Sequence, residues 1–117
     1  MMKISRFFLI LLCGAVLATG ANAYTNRNTA VIQVMNKAAG KVHTVAVPVG
    51  QSINFEKLNI TVRACLQSDP FEAENFYAFT EITKSGERFF SNWLNRNNPG
   101  KNPVQNPDYD AWLVKCE

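Results

Sequence analysis

Residues 58–67 alternate without interruption. Leu58, Ile60, Val62, Ala64 and Leu66 point one way, and Asn59, Thr61, Arg63, Cys65 and Gln67 point the other. A side-chain repeat of two marks a β-strand with one face on a core and one in solvent. No stretch after residue 23 carries the longer repeat of an amphipathic helix, so sheets must build the core.

The rest of the chain supplies partners for that strand. Thr29 to Lys37 and Lys41 to Val47 flank Ala38-Ala39-Gly40. A hairpin around Ala39-Gly40 sets Val34 opposite Val45 and Ile32 opposite Val47, all on one face. Pro48-Val49-Gly50 interrupts the ladder, because proline has no N–H to donate. Gln51 to Phe55 is a further short strand. Phe76 to Thr83 and Glu87 to Leu94 flank Ser85-Gly86, a two-residue turn that pairs Lys84 with Glu87, Ile82 with Phe89 and Ala78 with Trp93. Asp110 to Cys116 closes the chain, with Trp112, Val114 and Cys116 on one face. Ser68 to Asn75 reads as a solvated loop. Asn95 to Asp108, rich in Asn, Pro and Gly, reads as an extended loop with one helical turn near Trp93 to Asn97. About seven short antiparallel strands predict an all-β fold, a small β-sandwich or barrel.

The first segment reads as an address. Lys3 and Arg6 precede the apolar run Phe7-Phe8-Leu9-Ile10-Leu11-Leu12, and Ala21-Asn22-Ala23 is a small-residue cleavage site. Residues 7–18 are too few to span a bilayer, which takes about 20 apolar residues. Cys13 lies inside the apolar run behind the bulky Leu12, which disfavours lipidation there. The expected organisation is a signal peptide over 1–23, a flexible leader over 24–28 and one domain over 29–117. The mature chain then has no transmembrane span and lies in the periplasm. Without Lys3 and Arg6 the formal charge of +3 falls to +1, which gives no electrostatic footprint for nucleic acid.

Cys65 and Cys116 remain after cleavage. An even pair in an exported chain predicts one disulfide. With no CxxC and a single His, neither thiol oxidoreductase chemistry nor a Cys/His zinc site is expected. His43, beside the Gly40 turn, has no nearby Ser, Cys or carboxylate to form a catalytic group. Asp108 and Asp110 have the spacing of paired carboxylates, but Asn106-Pro107-Asp108 is first a turn sequence. Arg63 stands on the polar face of its strand, where it meets Glu81, Trp112 or a ligand anion. Phe79 and Phe90 are expected on the face opposite Ile82, Phe89 and Trp93, as a second core layer or as a groove. Asn59-Ile60-Thr61 matches a glycosylation acceptor, but inside a strand. No cofactor is expected.

Several elements fall in one order: Val47-Pro48-Val49-Gly50, Leu58-x-Ile60-Thr61-Val62-Arg63-Ala64-Cys65, Phe90-Ser91-x-Trp93, Asn106-Pro107-x-Tyr109-Asp110-x-Trp112 and a closing Cys116. From about Val31 to Cys116 the chain resembles a family of small exported alphaproteobacterial proteins known as domain of unknown function 2155. Members often carry Gly before the Trp and His before the Pro, where this chain has Asn92 and Asn106. The resemblance implies a Gram-negative envelope location and no established activity.

The combined expectation is a non-catalytic accessory or binding module of the cell envelope. Arg63, Trp93, Tyr109 and Trp112 would form its surface for an envelope protein or glycan. The alternative is a periplasmic inhibitor or small-ligand carrier that uses the loop 95–108. A hydrolase on Asp108 and Asp110 is a third reading.

Overall fold

The computed structural model describes residues 24–117; the signal peptide read in 1–23, with its cleavage site and Cys13, lies outside the described residues. Eight strands follow one another: β1 (Thr25–Asn26), β2 (Thr29–Asn36), β3 (Lys41–Pro48), β4 (Ser52–Phe55), β5 (Leu58–Gln67), β6 (Phe76–Lys84), β7 (Glu87–Asn95) and β8 (Tyr109–Cys116). All pairings are antiparallel. One sheet runs β1-β5-β6-β7 with β4 also on β5, and the other runs β3-β2-β8. The period-two segment thus becomes β5, and no α-helix occurs among the described residues.

The two sheets face each other over a shared core. Ile32, Val34, Val47 and Leu113 come from the three-stranded sheet, and Leu58, Ile60, Val62, Ala78, Ile82, Phe90 and Leu94 from the other. Thr80 is fully buried among them, and its hydroxyl donates to the Ala78 carbonyl at 3.2 Å. That bond offsets the cost of taking a hydroxyl out of water.

Three bulges set which side chains enter this core. On β5, Val62 pairs with Thr80 and Ala64 with Phe79, leaving Arg63 as the extra residue. On β8, Lys115 pairs with Val31 and Leu113 with Ile32, leaving Val114 extra. On β7, Arg88 pairs with Thr83 and Phe90 with Ile82, leaving Phe89 extra. An extra residue exchanges the inward and outward positions of everything beyond it. Cys65 therefore turns inward although Asn59 and Thr61 do not. Cys116 joins Leu113 inside rather than sharing the outward face of Trp112. The two cysteines form the disulfide, with Cα atoms 5.7 Å apart and both residues buried.

The β7 bulge also corrects the expected hairpin. Lys84 does pair with Glu87 across Ser85-Gly86, and both turn residues have positive φ, as a two-residue primed turn requires. Beyond it Ile82 faces Phe90, Ala78 faces Leu94 and Phe79 faces Trp93. Phe90 is therefore core, and Phe79 and Trp93 stand together outside. The β2–β3 hairpin differs by two residues: Ile32 faces Val45 and Val34 faces His43. Its loop is Lys37 to Gly40, held by an Ala39 N–H to Asn36 Oδ1 bond of 3.1 Å. A shift of two keeps every side chain on its face.

Two loop expectations also change. Thr25–Asn26, read as leader, pairs with Gln67 and Leu66 of β5. The Arg27 N–H extends that pairing to the Cys65 carbonyl at 2.8 Å. Trp93 to Asn95 continue β7 instead of starting a helical turn, and Asn98 N–H closes a turn on the Asn95 carbonyl. Mid-loop, Val104 is buried and Asn102 Nδ2 donates to the Trp93 carbonyl at 3.2 Å.

Candidate binding surface

The outer face of the larger sheet carries two adjoining groups. In the first, Tyr24, Leu66, Tyr77 and Trp93 line a shallow apolar concavity of about 200 Å³. Tyr24 meets Tyr77 edge to face at 5.7 Å between ring centroids, and Phe79 meets Trp93 likewise at 5.4 Å. Such pairs add to the value of their buried area and hold the rings upright.

In the second group, Glu81 lies between two arginines. Arg63 Nε donates to Glu81 Oε1 and Arg88 Nη1 to Oε2, each at 2.6 Å, and Ser91 Oγ donates to Oε2 at 3.3 Å. The carboxylate side chain is only 14% exposed while both arginines are 61% exposed. The hydrogen bond from Arg63 leads the forces that hold the Glu81 carboxyl below its ordinary range; burial opposes it, and the charges of Arg63 and Arg88 and the Ser91 hydroxyl add to the lowering. The guanidinium groups keep donors free for a partner.

Arg63 and Trp93 thus share one surface, but Tyr109 and Trp112 lie elsewhere. Trp112 is on the outer face of the smaller sheet, where its Nε1–H donates to Gln33 Oε1 at 2.8 Å. Beside it the loop residues Pro99, Gly100 and Pro103 bound a groove of about 440 Å³ along β8. Tyr109 is buried at one end of the sandwich, in the wall of a cleft of about 350 Å³ that also holds Glu56, Lys57, Lys84 and Asp108. Its hydroxyl donates to Glu56 Oε1 at 3.0 Å. Burial, with the Glu56 hydrogen bond and charge, pushes the Tyr109 phenol above its ordinary value.

The residues weighed for catalysis are engaged in the fold. Asp108 forms an ion pair with Lys84, whose hydrogen bond and charge hold the carboxyl below its ordinary value. Asp110 Oδ1 accepts the Ala111 N–H at 2.8 Å. His43 is exposed, with its ring 5.2 Å from that of Phe55. Asn59 of the glycosylation-like triplet donates from Nδ2 to Asn54 Oδ1 across the β4–β5 pair at 2.9 Å. Asn106 accepts the Asp108 and Tyr109 N–H groups at 2.9 and 3.2 Å and so shapes the entry to β8.

Sequence reasoning missed Tyr24 and Leu66 as members of the aromatic surface. Tyr24 lies in the stretch expected as leader, and Leu66 joins the outer face only because the Arg63 bulge turns it outward. Among the described residues no group of three or more metal-ligating side chains comes together, and no helix is long and apolar enough to cross a membrane.

A family model described as "Uncharacterized protein conserved in bacteria (DUF2155)" matches residues 30–116. Searches of the curated proteins and of the solved structures found no match.

Proposed function

We propose that this chain, which belongs to the DUF2155 family of uncharacterised bacterial proteins, is an exported, non-catalytic module of the cell envelope. It binds a protein or glycan partner through the outer face of its larger sheet. The observation that carries this reading is the placement of the Tyr24, Tyr77 and Trp93 rings beside the Arg63–Glu81–Arg88 cluster. Aromatic and arginine side chains together are the usual anchors of recognition surfaces. Glu81 fixes the guanidinium groups before a partner arrives, so less side-chain freedom is lost on binding.

Export is supported by the residues of the leader and by the paired cysteines, which suit an oxidising compartment. A non-catalytic role is supported by the structural engagement of Asp108, Asp110, Cys65 and Cys116.

The test is capture of the partner by chemical crosslinking in cells, comparing Trp93→Ala and Arg63→Ala with Trp112→Ala. The outer-face variants should lose the partner, and Trp112→Ala should keep it. The reverse pattern would move the function to the groove between β8 and the loop 95–108. That groove is the site of the second reading, a ligand carrier, which the apolar wall of Pro99, Pro103 and Trp112 favours.

A further inference from the structure

Among the described residues the sheet edges differ in how far they are capped. On β7, Trp93 N–H is met by the Asn92 side chain at 2.8 Å and Trp93 C=O by Asn102. On β8, Asn106 meets the Tyr109 N–H and Asp110 the Ala111 N–H, and Val104 packs in beside them. The outer side of β5 carries β1 and β4, which have only two and four residues. Short edges, local caps and covering loops are how sheets avoid unwanted pairing.

The edge that carries no such cap along its length is β3, eight residues long and largely exposed. Its free groups can be identified. Thr29 exchanges both of its backbone bonds with Glu117, on the β8 side of β2, while Asn28 C=O accepts Val49 N–H on the β3 side. Odd-numbered residues of β2 therefore serve β8, and even-numbered ones serve β3. Ala30, Ile32, Val34 and Asn36 pair with Val47, Val45, His43 and Lys41. Val42, Thr44, Ala46 and Pro48 are left to face outward. Pro48 has no N–H, and its C=O accepts Gln51 N–H at 3.0 Å. Among the described residues nothing pairs with the outward N–H and C=O groups of Val42, Thr44 and Ala46.

We propose that β3 pairs with β3 of a second copy of this chain. The two strands run antiparallel about a two-fold axis at Thr44, joining the two three-stranded sheets into one of six strands. The edge is self-complementary in this one register. Thr44 meets its own copy, and Val42 meets Ala46 of the other chain in both directions, so every free donor finds a free acceptor. Pro48 falls beyond the last pair, where its missing N–H costs nothing. Val42, 46% exposed, is covered by an apolar neighbour. The Lys41 side chains lie at opposite ends of the new ladder, and the low net charge of residues 24–117 opposes association only weakly. An isologous contact of this kind closes at two copies.

The experiment uses the mature chain with its native disulfide. Sedimentation equilibrium should give twice the chain mass, and Thr44→Pro should give the monomer mass with an unchanged circular dichroism spectrum. That substitution removes only an outward N–H and leaves the β2 ladder intact. Thr44→Cys should crosslink to itself on mild oxidation, because paired Cα atoms at about 5.5 Å suit a disulfide. Val42→Cys and Ala46→Cys should each fail alone and crosslink when mixed. Wild-type protein that is monomeric across the concentration range, or a Thr44→Pro variant that stays dimeric, would overturn the proposal. So would Val42→Cys joining to itself, or Thr44→Cys recovered from cells joined to a different protein.

Discussion

Cys65 and Cys116 each follow the extra residue of a β-bulge by two positions, Arg63 on β5 and Val114 on β8. Both thiols are carried into the space between the sheets by the same device. The disulfide then ties the middle of the larger sheet to the last strand of the smaller one, across a sequence separation of 51.

Cross-linking residues so far apart restricts the unfolded chain, by about 4 kcal/mol in the chain-entropy treatment. Replacing both Cys65 and Cys116 by Ser should therefore lower the unfolding free energy by about 2–5 kcal/mol in urea titration. For a domain of this size that is a large share of the total. A double variant as stable as wild type would show that the bond contributes nothing to the fold.

How much of this was legible depends on the bulges. The strands themselves follow from alternation and turn residues, and β5 was read at Leu58–Gln67, the bounds it has in the structure. The disulfide follows from the even cysteine count and the expected compartment. Facing did not, because a bulge is one residue of irregularity that composition does not announce. Unbroken alternation puts Phe90 and Trp93 on the wrong faces for that reason alone and hides Leu66 as an outer-face residue. The pairing of Arg63 with Glu81 is legible as one option, because both lie on polar positions of neighbouring strands. Tyr109 is a wall residue and not a surface one; the cleft that it lines is made by β2, β6 and the loops at Ala38, Glu56–Lys57 and Asp108, which no local pattern links.

Glu81 gives the fold a dependence on acid. Its folded-state pKa is depressed, chiefly by the Arg63 hydrogen bond, so the stability it contributes is present above the unfolded value near 4.3 and is lost as pH falls through the folded value. Asp108, held by Lys84, acts in the same direction. Wild type should lose stability between about pH 5 and pH 3, and Glu81→Gln should lose less over the same window. Parallel urea titrations at the two pH values decide it; equal losses in both proteins contradict the assignment.

Tyr109→Phe removes the only hydrogen bond from the phenol to Glu56 and keeps the ring. The expected cost is about 0.5–1.5 kcal/mol. The raised phenol pKa means that the neutral form is favoured in the folded state, so this contribution persists below the unfolded value near 10 and fades as pH rises through the folded one. Ultraviolet titration should show one tyrosine ionising later than the others, and the Phe variant should lack it. A late phenol surviving in the variant would place it at another tyrosine.

Protein recovered from cells should begin at Tyr24, and intact mass should show no alkylation of Cys65 or Cys116 until reductant is added. A chain retaining residues 1–23, or thiols that label without reduction, would contradict export to an oxidising compartment.

The proposed recognition surface is the outer face of the larger sheet. Its most direct test is crosslinking in living cells through a tag after Glu117, with the adducts identified by mass spectrometry. One reproducible envelope protein or glycan should appear with wild type and Trp112→Ala, and disappear with Trp93→Ala and Arg63→Ala while their disulfide still forms. Adducts that survive both outer-face substitutions would contradict the claim.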